Sequence, residues 1–76
     1  MKIDCQIIQN RLALGFDDVH FIYIRGSYYE PSLKFFVKRQ DFFERDDMSS
    51  EEKEYALKAI DEFNKKNVMQ IAFVDD

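Results

Sequence analysis

The chain has 76 residues, a formal net charge of −4, and twelve aromatic residues (eight Phe, four Tyr) against two Gly and one Pro. That length holds one domain with a marginal core, and the aromatic content excludes a disordered chain. One cysteine, Cys5, excludes an internal disulfide framework, and with His20 alone beside it no zinc-ligand set is available. No apolar run approaches a membrane span, and the Met-Lys start lacks the long apolar segment of a signal peptide. The expectation is a single reduced, soluble, cytoplasmic domain over residues 1–76, with no membrane partner.

From Met1 to Phe16 two readings compete. Ile3, Cys5 and Ile7 alternate, as do Leu12, Leu14 and Phe16 after a polar Gln9-Asn10-Arg11, which suits a hairpin. The alternative is a short N-terminal helix, capped by Asp4 and closed by Gly15 with Phe16 as its apolar contact. Its Gln, Arg, Leu and Ala are good helix formers, with Cys5, Ile8 and Leu12 on one face. The residues favour the helix.

After an Asp17-Asp18 turn, residues 19–26 (VHFIYIRG) form the clearest strand. Val19, Phe21 and Tyr23 share one face, Ile22 and Ile24 the other. Such a strand is covered on two sides, or on one with an aromatic surface opposite. Residues 26–32 (GSYYEPS) turn the chain. Residues 33–39 alternate with Leu33, Phe35 and Val37 inward, as a half-exposed antiparallel strand. Residues 41–47 (DFFERDD) read as an irregular acidic link pinned by Phe42 or Phe43.

Residues 49–67 predict an amphipathic helix. Met48, Tyr55, Ala56, Ala59, Ile60 and Phe63 fall on one face. Ser49 with Glu52 is a capping box, and Lys65 and Lys66 suit the last turn. Glu54–Lys58, Asp61–Lys65 and Glu62–Lys66 are spaced as ion pairs, and Asn67 can close the helix in the left-handed conformation. Residues 68–74 then make a last strand with Met69, Ile71 and Phe73 on one face. The fold class is α+β: a small, mostly antiparallel sheet of three or four strands with the long helix on one face. A right-handed crossover makes the last strand parallel to residues 33–39.

Catalysis finds little in these residues. His20 has no Ser or Cys at a catalytic spacing, and Cys5 has no neighbour to lower its pKa. The pairs Asp17/Asp18, Asp46/Asp47 and Asp75/Asp76 are explained by turns and a terminus, without a metal. Two isolated glycines cannot build a phosphate loop. The expectation is a protein that is not an enzyme, with no cofactor, no metal and no catalytic residue.

Charge is unevenly placed. Residues 19–40 carry four Lys/Arg against one acid, and residues 41–64 carry three against nine. The acidic balance argues against nucleic acid as a partner and suits a basic protein. The candidate partner-binding residues are Asp41, Glu44, Asp46, Asp47 and Glu51 of the acidic run, and Tyr28, Tyr29 and Glu30 of the turn, where tyrosines can anchor an interface. A second possibility is a single-stranded nucleic-acid surface built from Tyr28, Tyr29, Lys34, Lys38 and Arg39. A third is a homo-oligomer hiding an apolar strand face.

The order of N-terminal helix, LGFDDV entry, strand, Gly…Pro turn, strand, acidic link, SSEEKEYALKAIDEFNKKN helix and closing strand resembles, in layout and charge, that of small acidic immunity proteins of nuclease bacteriocins. The resemblance spans most of the chain and carries over no individual residue. It implies a stoichiometric inhibitor that covers a basic, nucleic-acid-handling surface. Small phage-encoded inhibitors of host defence nucleases fit the same description.

Overall fold

The computed structural model describes residues 1–75. The strands are β1 (Ile3–Ile8), β2 (Arg11–Phe16), β3 (His20–Tyr29), β4 (Lys34–Lys38) and β5 (Gln70–Val74). The helices are α1 (Arg39–Phe43) and α2 (Ser50–Lys66), and a single 3-10 turn spans Glu30–Ser32. The strands make one sheet in the order β1-β2-β3-β4-β5. Three pairings are antiparallel and β4–β5 is parallel, as expected of a strand that returns through a crossover. The class is therefore α+β, but with five strands where three or four were expected.

The added strands, β1 and β2, come from residues 3–14, which belong to a hairpin and not a helix. Gln9 and Asn10 form a two-residue loop with φ of 49° and 62°, and Ile8 faces Arg11 across it. Two successive positive φ angles define the tight hairpin turn whose twist matches that of its strands. Its usual signal is Asn-Gly, and Gln-Asn conceals it. Gly15, read as a helix terminator, is buried within β2. The next turn uses the same backbone: Asp17 and Asp18 have φ of 53° and 60°. Asp17 Oδ1 accepts the Lys2 backbone N–H at 2.8 Å, and Asp18 pairs with the Lys2 ammonium at 3.3 Å. Turn chemistry thus accounts for this carboxylate pair.

Alternation sorts the sheet into two faces. Leu12, Leu14, Phe16, Ile22, Ile24, Phe35, Val37 and Ile71 point inward and are buried. Helix α2 lies on this face and contacts both β1 and β5, so the sheet curls around it. Ala56 and Ile60 are its buried residues, with Leu57 and Phe63 packed beside them. The helical face is thus rotated from the expected one: Tyr55 is exposed, and Lys58 lies 5.3 Å from its ring. Asp61 pairs with Lys65 at 3.2 Å, but Glu62 also leans to Lys65, at 3.9 Å. Residues 39–43 form a helical turn instead of an irregular link, and Phe42 is its fully buried anchor.

The capping box forms. Ser49 Oγ accepts the Glu52 N–H at 3.1 Å, and Glu52 accepts the Ser49 N–H at 2.8 Å. At the other end Asn67 is extended (φ −128°, ψ 150°) and not left-handed. It closes the helix by donating from its side chain to the Phe63 carbonyl at 2.9 Å.

Candidate interaction surfaces

Two surfaces remain once the core is assigned: the acidic end around α1 and the start of α2, and the outer face of the sheet. At the acidic end the run splits. Asp47 is held by Arg45 through two hydrogen bonds of 2.9 Å, and that contact lowers its pKa while raising that of Arg45. Glu52 has a lowered pKa as well, first through the Ser49 backbone N–H and then through His20, whose Nδ1 lies 3.2 Å from Glu52 Oε2. Asp41 is half-buried and lines a depression with Arg25 and Lys38. Glu44 lines another with Arg39 and Asp75. The carboxylates of Glu44, Asp46, Glu51 and Glu54 are exposed and make no ion pair among the described residues. The run's two cations are engaged internally, Arg45 with Asp47 and Lys53 with the Phe43 carbonyl at 2.8 Å.

The Tyr28-Tyr29-Glu30 group is divided between the two faces of the sheet. Tyr28 and Tyr29 end β3 and point to opposite faces. The Tyr28 ring meets Phe35 edge-on at 5.0 Å, while Tyr29 lies 6.0 Å from Phe36 on the outer face. Glu30 opens the 3-10 turn. Arg39 leaves the strand altogether: it starts α1, pairs with Asp75 at 3.3 Å and lies 5.8 Å from the Phe43 ring. Asp76, counted in the last carboxylate pair, lies outside the described residues.

The outer face collects residues that sequence spacing did not join. Along β3 it presents Phe21, Tyr23, Arg25, Ser27 and Tyr29, all exposed. Neighbouring strands add Arg11, Lys34, Phe36 and Lys38 by register. Arg11 stands directly opposite Arg25, and its guanidinium carbon is 4.8 Å from the centre of the Tyr23 ring. Phe21 lies over Gly15, where a Cβ would come within 3.0 Å of its ring. The alternation of residues 19–25 marked an aromatic outer face. The partnership with Arg11 was hidden, because residues 3–14 were read as helix.

His20 serves the helix start, and Cys5, half-buried on β1, has its thiol pushed up to about 12 by burial, which leaves it protonated and inert at neutral pH. No group of metal-ligating side chains occurs among the described residues. No described helix is long and apolar enough to cross a membrane. The surfaces thus belong to a small α+β domain with one helix cradled in a curled mixed sheet. No protein-family model, curated protein or solved structure matches the chain.

Proposed function

We propose that the chain is a non-enzymatic interaction module, an inhibitor or immunity-type binder of a basic, nucleic-acid-handling protein. One observation carries the reading: Glu44, Asp46, Glu51 and Glu54 stand exposed and make no ion pair among the described residues, while Arg45 and Lys53 are turned to internal partners. Carboxylates left free in this way project a negative field that steers a basic partner and can stand in for phosphates. Capping requires only Glu52 and the helix dipole favours Glu51 in the first turn, so Glu44 and Asp46, which lie outside α2, are the acids that helix formation does not explain.

The test is charge reversal at Glu44→Lys with Asp46→Lys, positions outside α2 that flank the Arg45–Asp47 pair but leave both of its members in place. Purified basic nuclease domains serve as candidate partners, any encoded beside the gene being tried first. The wild-type chain should bind one of them and inhibit it, with an association rate that falls as salt rises. The double reversal should weaken binding by several kcal/mol, as like charges then face each other, while the melting temperature stays nearly unchanged. Inhibition that survives the reversal, or the absence of a bound basic partner, would refute the proposal.

A further inference from the structure

We propose that the outer face of the sheet is a separate site for single-stranded nucleic acid, with bases stacked on Phe21 and Tyr23 and phosphates met by Arg11, Arg25 and Lys34. The sheet's outward positions carry four Lys or Arg and one carboxylate, Asp4, in a chain whose net charge is −4. Arg11 and Arg25 occupy directly opposed positions, an arrangement that repels in the free protein and that an anion would relieve. Arg11 reaches Tyr23, placing a cation and an aromatic ring in one unit. Phe21 rests over Gly15, where the missing side chain leaves room for the ring against the sheet. Phe21 and Tyr23 are 54% and 47% exposed, high for large aromatic side chains in mid-strand and suited to stacking.

Charge decides the occupant. A second copy laid face to face would bring two cationic surfaces together, which like-charge repulsion opposes. A phosphodiester chain supplies anions to Arg11, Arg25 and Lys34, and its bases supply planar partners for the rings. Along β3 the distance from Phe21 to Tyr29 is roughly 26 Å at the usual strand rise. That accommodates about four nucleotides, at the short end of single-domain footprints. The site shares no residue with the acidic surface proposed above, so either can fail without the other.

The experiment titrates the whole chain into labelled oligo-dT and oligo-rU at several salt concentrations and follows anisotropy. Binding should saturate, with log K falling against log salt at a slope of roughly −2 to −3. Arg11→Gln with Arg25→Gln should weaken it on the order of tenfold or more and flatten that slope by roughly one. Phe21→Leu and Tyr23→Leu keep apolar cover on the sheet and should each cost roughly 5- to 100-fold through loss of a stack. Lys65→Gln with Lys66→Gln makes the same net charge change on α2 and should leave binding unaltered. Circular dichroism melts confirm that each variant is folded, and any that is not is replaced by Tyr23→Ile or by Arg11→Gln or Arg25→Gln alone. The proposal is overturned if neither oligonucleotide saturates, or if the helix lysines matter as much as the arginines. It is equally overturned if long-chain inorganic polyphosphate competes fully while the leucine variants bind as wild type. Binding confined to an acidic peptide would also overturn it.

Discussion

Gly26 stands on the inward side of β3 opposite Val37. A Cβ there would collide with the Phe35 ring and come within 2.7 Å of the Phe36 carbonyl oxygen. Phe35 is fully buried and cannot swing away, so Gly26→Ala should destabilise by about 1–3 kcal/mol despite the lower chain entropy of alanine. At Gly15 the obstructing ring belongs to half-exposed Phe21, which can lift toward solvent. Gly15→Ala should therefore lose less than Gly26→Ala in urea titrations; the reverse order would show that Phe21 is the more tightly held ring. Sequence punctuation marked Gly26 as part of a turn, whereas the close approach of an aromatic ring is what requires it. Cys5 offers a similar lesson. With its thiol pushed up to about 12 by burial, it should alkylate slowly in the native protein at neutral pH and rapidly once unfolded.

At the scale of elements, the edge of β5 is covered by a side chain. Asn64 of α2 donates to the Ile71 carbonyl at 3.0 Å and accepts the Ile71 N–H at 2.8 Å. Gln70 returns the contact by donating to the carbonyls of Asn64 and Asn67. These bonds occupy backbone groups that an edge strand would otherwise present to another chain. Asn64→Leu should remove about 2 kcal/mol by leaving both Ile71 groups without their partner, measured by denaturant unfolding, with aggregation rising alongside. At the opposite end of α2, Glu52 holds the capping box and His20. Its pKa is lowered in the folded state, so its contribution is complete above the unfolded value and lost as pH falls through the folded one. Melting temperature should fall below about pH 5, and less steeply in Glu52→Gln, which keeps a cap acceptor without the charge. Helix α2 was legible because capping, dipole and periodicity agree within one short window. The N-terminal hairpin was not: its turn relies on positive φ at Gln9, which few sequences signal, and helix propensity in residues 6–14 pointed elsewhere. The place of Arg11 on the outer face was hidden for the same reason, since register alone brings it to Arg25.

At the scale of the whole molecule, the sheet curls around α2, and α1 packs beside β3 and β4. Phe42 ties α1 to the rest: it is fully buried and lies 5.3 Å from Phe73 of β5, and Phe43 lies 4.9 Å from Phe42 and 5.3 Å from Phe73. Phe63, on the α2 face, is only partly buried. From sequence, Phe63 ranks among the largest core side chains because the α2 stripe is clear, while the 41–47 link looks irregular. Burial reverses that order. A domain of this size has a total stability of roughly 4–11 kcal/mol, and emptying a fully enclosed phenyl site costs about 3–5 kcal/mol. Phe42→Ala should therefore leave the chain partly unfolded or molten at room temperature. Phe63→Ala should lose less and retain a cooperative transition. Near-ultraviolet circular dichroism with urea unfolding of both variants provides the check. A larger loss at Phe63 would mean that α2, rather than the aromatic contact between α1 and β5, carries the weakest-tolerated part of the core.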